Sequence, residues 1–386
     1  MAKDLTDYDY KYENDITSFT ELDAIDYIRT LRKQKNYDKA IEVAEAFKIN
    51  CRGLSGYNND YAWALYYKFV SNNDADPQLA EKTVNDILAM TTQSPYSPYD
   101  AALNRLIRIE MAKEDCNYSK VLELLGKLDR SQLSKEEFTT KDGRKVASNY
   151  ERYMKQLAKA QFETGKYQAC LRTIEDSYAQ ISHFHGGLYD LRIMHVECQI
   201  KLGHNEAALK EFLSMKGHNS SITNESLYNM YIGLNDDATA NAFLLDDIYN
   251  MGFSKDHIHL YEKLKNTAHK ANYPKLEALV DELLEAFKED EAKAGRIYDD
   301  MMDELTRNLN KIVNRTQGKI ARYNEEKKLG NIQAGGDSIF FMEADYIYEE
   351  EIKRFDIVEF TELPTYDRKK DEISSKAILI EFISED

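Results

Sequence analysis

Two short histidine pairs are the closest approach to a chemically active pattern in this chain. They are His183-Phe184-His185 and His257-Ile258-His259. An imidazole can bind a metal or move a proton near neutral pH, but a metal centre needs at least one further ligand, whose position the sequence does not indicate. We therefore expect both pairs to lie in loops or at the surface. We predict no metal site and no cofactor.

Other patterns that carry catalysis are missing. The chain has no phosphate loop of the G-x-x-x-x-G-K-[ST] kind, no G-x-S-x-G and no H-E-x-x-H. The acidic clusters at 289–291, 299–300 and 349–351 are typical of solvated faces. No two of the four cysteines have C-x-x-C spacing, which argues against zinc and indicates a reduced, intracellular chain. We predict a non-enzymatic protein; an enzyme would need a site without any local motif.

Composition indicates a helical protein. The 386 residues include only 5 prolines and 16 glycines, and 42% of the residues are hydrophobic. The formal net charge of -17 opposes general binding to nucleic acid and to anionic lipid, although a local basic patch remains compatible with it. The first residues lack an apolar signal core, and no apolar run has the length of a membrane span. We expect a cytoplasmic protein without membrane contact.

A helical period begins near residue 21. Ala24, Tyr27, Ile28 and Leu31 recur at spacings of three and four, which places them on one helix face. A break at residues 35–36 precedes a second apolar series, so this region predicts a helical hairpin. Residues 1–20 are polar and acidic. We predict that they form a flexible tail, with a partner-binding peptide as the alternative.

One turn recurs between helical segments. It has a turn residue, usually a tyrosine two positions later, and a small or apolar residue three positions after that. Copies occupy residues 35–40, 165–170 and 203–208, with looser ones at 116–121 and 271–276. The last positions of the copies are separated by 81, 49, 38 and 68 residues. The residues predicted to shape or pack the turns are Tyr37, Ala40, Tyr118, Gly165, Tyr167, Gly203, Ala208 and Tyr273.

These turns resemble those of the tetratricopeptide repeat, and the last interval is twice that family's period of about 34 residues. The resemblance covers residues 21–313 and implies an α-solenoid of stacked hairpins, with a groove that binds a protein or peptide. A generic helical bundle is the alternative. The first hairpin lacks the Lys-x-x-x-Asn pattern of chaperone-binding repeats, so we do not predict that it binds chaperone tails.

The pattern changes to short β runs near residue 317. Runs at 318–324, 325–332, 338–342, 356–363 and 377–383 predict five strands, and Gly335-Gly336-Asp337 predicts a hairpin turn. Five short strands within residues 317–386 fit a small five-stranded β-barrel of the OB type. The predicted fold class is therefore mainly α, with a helical array followed by this barrel.

This stretch resembles a cold-shock domain, which begins G-x-V-K-W-F-N-x-x-K-G-F-G-F-I and continues D-V-F-V-H. The residues in register are Gly318, Ile320, Tyr323, Asn324, Lys327, Gly330, Ile332, Asp337, Ile339 and Phe340. That family stacks bases on exposed aromatic rings. Here arginine stands at the tryptophan position, 322, and the two glycine-motif phenylalanines and the histidine are replaced by Leu329, Asn331 and Met342. Most of the stacking affinity should therefore be lost.

Charge in the barrel region is mixed. Residues 317–386 carry a net charge of -7, whereas residues 307–328 carry +5. This basic run either contacts a phosphate backbone or forms a solvated helix face. The residues predicted to contact nucleic acid, should the barrel bind it, are Lys319, Arg322, Tyr323, Lys327, Lys328 and Phe340.

Two functional hypotheses follow. The first is a scaffold or adaptor whose repeat groove holds a protein segment. The second is a regulator whose barrel weakly binds RNA or single-stranded DNA, with binding that falls on Lys327→Ala or Lys328→Ala. Repeat arrays joined to cold-shock-like barrels also resemble accessory proteins of bacterial conflict or defence loci.

Overall fold

Many helices of this chain begin where a polar side chain caps the first turn of an apolar, three-to-four-spaced segment. Before the first hairpin, the Asp23 amide donates to the Thr20 hydroxyl (3.2 Å) and the Thr20 amide donates to the Asp23 carboxylate (3.2 Å). The side chains of Asp76 and Ser97 each accept a hydrogen bond at the start of a later helix, and each is followed directly by a proline at the first helical position. Local chemistry thus determines where these helices start.

A computed structural model describes residues 5–51, 53–72, 75–140, 142–216, 223–348 and 351–383. The chain divides into two compact units, Met1–Leu202 and Gly203–Asp386. The first unit is helical apart from one short hairpin, β1 (Phe138–Thr139) and β2 (Lys145–Val146). Its helices are α1 (Leu5–Asn14), α2 (Glu21–Lys33), α3 (Tyr37–Phe47), α4 (Ser55–Leu65), α5 (Pro77–Met90), α6 (Pro98–Met111), α7 (Tyr118–Leu125), α8 (Asn149–Glu163), α9 (Tyr167–Gln180) and α10 (Leu188–Lys201).

The second unit contains six helices and five strands within the described residues. The helices are α11 (Asn205–Met215), α12 (Asn224–Gly233), α13 (Asp237–Met251), α14 (Ile258–Lys270), α15 (Pro274–Glu289) and α16 (Glu291–Arg307). The strands are β3 (Thr316–Asn324), β4 (Leu329–Ala334), β5 (Asp337–Met342), β6 (Ile357–Asp367) and β7 (Glu372–Phe382). No helix in the described residues is both long and apolar enough to cross a bilayer.

The recurring turn is a helix C-terminal motif with one residue in the left-handed region. After α2, the amide of Asn36 donates to the carbonyl of Leu31 (2.9 Å). Within this turn, the amide of Lys35 donates to the carbonyl three residues earlier. The same pair of bonds surrounds Lys35, Gly165, Asn235 and Asn272, whose φ angles are 64°, 72°, 60° and 51°. Gly203, with a φ of 80°, begins the second unit.

The residues predicted to pack these turns occupy two kinds of position. The small or apolar ones are fully buried: Ala40, Val121, Cys170, Ala208 and Leu276. The tyrosines at 37, 118 and 167 are the first residues of their helices and are half-buried. Tyr273 is instead buried, and its hydroxyl bonds to Glu304.

One turn escaped the sequence comparison because it has no aromatic residue. Residues 235–240 connect α12 to α13, and Ala240 is fully buried at the position of Ala40 and Ala208. It lies 32 residues after Ala208 and 36 before Leu276, so it divides the longest late interval into two of ordinary length. These turns share a buried small or apolar residue at their last position, and the tyrosine is not required.

The start of the chain differs from the flexible tail predicted over residues 1–20. Residues 5–14 form α1, and Tyr8 is buried against α2, where its ring stacks on that of Tyr27 at 5.6 Å. The Tyr27 hydroxyl also bonds to Asp9. The polar composition concealed this helix because only one or two of its rings need to reach the core.

The five strands close into a barrel in the order β3-β4-β5-β7-β6, with β6 paired back to β3. The β5–β7 pair is parallel and the other pairs are antiparallel. Gly335 and Gly336 form the two-residue turn between β4 and β5 with φ angles of 56° and 103°, which confirms that predicted hairpin. Ile320, Ile332 and Phe341 fill the interior. The predicted fold class, mainly α with a five-stranded barrel, is confirmed.

The division between units does not follow the predicted boundary between repeats and barrel at residues 313–317. α11 and α13 both pack against β6, and Lys210 of α11 pairs with Asp371 of the β6–β7 turn at 3.1 Å. The helices after residue 203 therefore belong to the same unit as the barrel. The repeat region predicted over residues 21–313 is split between the two units.

Asp100, in the first turn of α6, is buried without a partner for its carboxylate. Its exposure is 3%, and neither carboxylate oxygen meets a donor among the described residues. Burial raises the pKa of Asp100 from 3.8 to about 6. The folded protein thus keeps a proton that the unfolded chain releases between these values. The stability from this group is complete below about pH 4 and is lost as pH rises through about 6.

We expect Asp100→Asn to raise the free energy of unfolding by about 1 to 3 kcal/mol near neutral pH, and to have no such effect at about pH 4. Denaturant unfolding at both pH values measures this difference. The exposed first-turn Asp38 of α3 provides the control, because Asp38→Asn should leave stability unchanged at either pH. A less stable Asp100→Asn protein at neutral pH would show that the carboxylate is ionised and paired.

Candidate nucleic-acid interface

The outward side chains of β3, β4 and β5 form one surface, which we call the meander face. Cross-strand pairing places Arg322, Asn331 and Phe340 opposite one another in a single row. A neighbouring row contains Lys319, Gln333 and Ser338. Arg322 and Lys319 are exposed, and Phe340 is 38% exposed. The meander face therefore combines a flat apolar ring with cations and an amide.

A β-bulge in β3 decides which residues reach this face. The pairing shifts between Ile320 and Arg322, so Ile320 points inward, Arg322 outward and Tyr323 inward again. The ring of Tyr323 stacks on the buried Phe341 at 6.1 Å. Its hydroxyl bonds to Glu343, and this bond raises the pKa of Tyr323 to about 12. Tyr323 was predicted as a nucleic-acid contact, but the bulge turns it away from the meander face.

The two lysines of the β3–β4 turn differ in their surroundings. Lys328 has a φ of 52°, and its ammonium pairs with the Glu343 carboxylate at 3.0 Å. Lys327 is exposed, makes no ion pair among the described residues, and donates its amide to the Asn324 side chain at 2.8 Å. Lys327 is therefore the more available cation for a phosphate.

Phe355 and Arg354 adjoin the meander face, and the sequence comparison missed both. Phe355 is 57% exposed and has a φ of 81°, a left-handed conformation that is costly for a bulky side chain. The guanidinium of Arg354 lies 4.5 Å and the ammonium of Lys319 lies 5.2 Å from its ring centroid. The amide of Phe355 donates to the Ile320 carbonyl at 2.9 Å, which holds the ring beside β3. In the sequence, the feature that could have indicated these two residues is Lys-Arg-Phe at 353–355, directly after an acidic segment.

The basic run over residues 307–328 does not form one surface. Arg307 pairs with Asp303 on α16, and the Lys311 ammonium lies over the Tyr273 ring at 4.2 Å. Arg315 is 4% exposed and holds β6 and β7 together through hydrogen bonds. Neither a continuous phosphate contact nor a solvated helix face describes this run. Within this run, the cations that remain for a ligand are Lys319, Arg322 and Lys327, which lie on or beside the meander face.

A cleft of about 1060 Å³ lies next to the β3–β4 turn. Aromatic side chains line it, among them Tyr323, Tyr346 and Tyr348. Its rim includes three glutamates, at positions 325, 343 and 351, against two lysines. This balance opposes phosphate within the cleft, so of its lining residues we include only Lys327 in the interface.

The histidine pairs lie outside this surface. His183 and His185 lie in the α9–α10 loop, and His185 is mostly buried, with Nδ1 3.0 Å from the Glu151 carboxylate. His257 ends a short 3₁₀ turn, and His259 lies in the first turn of α14. The first pair lies in a loop as predicted, although His185 is mostly buried, and His259 of the second pair is exposed at the surface. No group of three metal-ligating side chains occurs in the described residues.

The chain matches no known family model, and no curated protein is similar to it. Two solved structures of the human IFIT1 dimer, with PPP-AAAA and with m7Gppp-AAAA, are similar at 13% and 14% identity and TM-scores of 0.35 and 0.34. These matches cover 73% and 74% of this chain and 72% and 71% of the IFIT1 chains. We infer no ligand or partner from similarity at this level.

Proposed function

We propose that this chain is a non-enzymatic binding protein whose barrel binds single-stranded nucleic acid on the meander face. The observation that carries the proposal is the row formed by Arg322, Asn331 and Phe340 across three strands. Phe340 and Phe355 offer rings for stacking, and each stacked base is worth about 1 to 3 kcal/mol. We rank the adaptor hypothesis second, because Phe355 and Arg354 contribute one further ring and one further cation beside those that the sequence indicated.

Electrostatics define how this binding should behave. Arg322, Lys319 and Lys327 have no carboxylate partner within 4 Å among the described residues, so phosphates can replace water and counterions around them. The whole chain carries a net charge of -17 and repels a polyanion at longer range. Binding is therefore expected to be weak, local and strongly weakened by salt.

We expect a labelled single strand of about twelve nucleotides to bind the full chain at about 50 mM salt, and binding to weaken at about 200 mM. Phe340→Ala and Arg322→Ala should each weaken it about fivefold to a hundredfold. Lys327→Ala should have a larger effect than Lys328→Ala, because Lys328 is already paired with Glu343. Fluorescence anisotropy measures each affinity.

Matched controls come from exposed residues of the first unit. Phe138, 54% exposed on β1, and Arg144, exposed in the β1–β2 hairpin and paired with Asp142, provide a ring and a guanidinium outside the barrel. Phe138→Ala and Arg144→Ala should bind as the wild type does. Absence of binding by the wild type at low salt, or equal binding by Phe340→Ala and Arg322→Ala, would exclude the meander face as the site.

A protein-binding adaptor is the second candidate. In the first unit, Ile49 is 90% exposed beside a cleft of about 600 Å³ lined by Tyr57, Tyr61 and Met90. An exposed apolar side chain beside an aromatic cleft is typical of a peptide-binding surface. Tagged protein recovered from its own cells after nuclease treatment should retain a protein partner, and Ile49→Glu should release it. Retention of that partner by Ile49→Glu would exclude this cleft.

A further inference from the structure

The three strands of the meander face present three different chemistries. β3 presents the cations Arg322 and Lys319, and β5 presents the exposed ring of Phe340. β4, which lies between them, presents two side-chain amides, Asn331 and Gln333. Groups that suit phosphate and a ring that suits a base therefore lie on opposite sides of a central strand of amides.

Both amides remain available to a ligand. The backbones of Asn331 and Gln333 pair with β3 and β5, but neither side chain makes a hydrogen bond within the part of the chain that the structure describes. Each amide has a donor beside an acceptor, whereas the Arg322 guanidinium has donors alone. Side chains with these patterns distinguish bases by the order of donors and acceptors on the base edge.

A base stacked on Phe340 meets open hydrogen-bonding groups on one side. The ring of Phe340 has no aromatic or cationic neighbour among the described residues, so its exposed face can hold a base. Asn331 pairs directly opposite, where Cβ atoms are about 4.5 to 5.5 Å apart, and Arg322 follows in the same row. On the other side lies Lys376 of β7, which is 17% exposed and paired with Asp345 at 2.6 Å. The edge of the base is therefore recognised from β4 and β3.

We propose that the meander face selects single strands that contain purines, with a purine stacked on Phe340 and its N7 edge bonded to Asn331 or Arg322. This preference rests on the single-strand binding proposed above and specifies the class of base that lies on Phe340. Adenine presents an amino donor beside N7, which matches an amide, and guanine presents O6 beside N7, which matches a guanidinium. A pyrimidine has no N7, and its single ring covers less of the phenyl face.

The neighbouring row provides an internal comparison. Gln333 has the same amide as Asn331, but the residue opposite it on β5 is Ser338, which has no ring. A base in that row is not held by stacking, so the Gln333 amide has no fixed edge to recognise. Selectivity should therefore depend on Asn331 far more than on Gln333.

Strands that differ in one base test this preference. Fluorescence anisotropy compares the affinity of the full chain for a labelled thymidine strand of about twelve nucleotides with that for the same strand carrying one central adenine or guanine. We expect either purine to strengthen binding about fivefold to twentyfold. A further strand carries 7-deazaadenine, which keeps both rings but replaces N7 by a C–H group. It should lose most of the gain that adenine gives.

Two leucine substitutions assign the selectivity to one amide. Asn331→Leu keeps a side chain of similar size and removes the donor and the acceptor, so its affinities for the adenine and thymidine strands should lie within about twofold of each other. Gln333→Leu removes the amide of the neighbouring row and should change both affinities by the same factor, which preserves the ratio. Hydrogen exchange of β3, β4 and β5 verifies that both variants keep the barrel.

The outcomes separate this preference from single-strand binding itself. A gain for purines that requires N7 and Asn331 supports the proposal. Equal or tighter binding of the thymidine strand by the wild type contradicts it, although the face would still bind single strands. A full gain with 7-deazaadenine, or a full adenine gain in Asn331→Leu, also contradicts it, because the preference would then come from stacking alone. Absence of binding to every strand would exclude the proposed function and this preference with it.

Discussion

Gly330→Ala is expected to unfold the barrel while leaving the first unit folded. A methyl group at Gly330 of β4 would lie 2.4 Å from the Arg322 carbonyl oxygen and 2.5 Å from the edge of the Phe341 ring. Phe341 is fully buried and the carbonyl belongs to the paired strand β3, so neither can move without breaking the barrel. We expect the free energy of unfolding of the barrel to fall by about 3 kcal/mol or more.

Hydrogen exchange of peptides from residues 316–382 measures this change directly. The control is Gly233→Ala at the end of α12, where an added methyl group meets no atom within 4 Å and the helix gains propensity. That variant should exchange as slowly as the wild type or more slowly. Wild-type protection of the barrel in Gly330→Ala would contradict the pairing of Gly330 on β4 with Tyr323 on β3.

Arg315→Ala is expected to have the second large effect. The side chain is 4% exposed and donates to the Glu381 carboxylate (2.6 Å), the Leu379 carbonyl (2.7 Å) and the Glu359 carbonyl (3.2 Å). These partners flank the place where the β6–β7 pairing shifts, and Leu379 has a left-handed φ of 51°. Arg315 therefore supplies donors to carbonyls that the irregular pairing leaves without them.

Removing this side chain should reduce the free energy of unfolding of the barrel by about 3 to 5 kcal/mol, because the carboxylates of Glu381 and Glu359 and two carbonyls lose their donor together. Denaturant titration with hydrogen exchange of β6 and β7 measures it. Arg322→Ala removes an arginine from the same barrel but from the exposed meander face, and should leave stability unchanged. A loss below about 1 kcal/mol for Arg315→Ala would contradict the bonding described.

The cold-shock resemblance is now explicable residue by residue. Gly318 and Gly330 leave no room for a Cβ, Ile320, Ile332 and Ile339 fill the core, and Asn324 caps the β3–β4 turn. Most matched positions thus build the barrel, and only a few, such as Phe340 and Lys327, face solvent. A motif of this kind predicts the fold much better than the ligand, because the packing residues are shared while the exposed residues vary.

The amino-acid sequence by itself determined the features that depend on local chemistry. Apolar spacing predicted the first helical hairpin, the recurring turn predicted where later helices meet, and Gly335-Gly336 predicted a hairpin turn. The order of short strands predicted a five-stranded barrel. Each of these depends on residues a few positions apart, which a linear pattern contains.

Only the tertiary structure decided which side chains meet across elements. A one-residue bulge turned Arg322 outward and Tyr323 inward, because side chains alternate along a strand and a single inserted residue reverses the alternation. Arg315 belongs to the basic run in the sequence, but its side chain is buried in the barrel, where it donates to a carbonyl at the β6–β7 irregularity. The ring of Tyr37, at the start of α3, stacks on that of Tyr67, which follows α4, at 5.5 Å. Such contacts depend on register and helix packing, which no local spacing specifies.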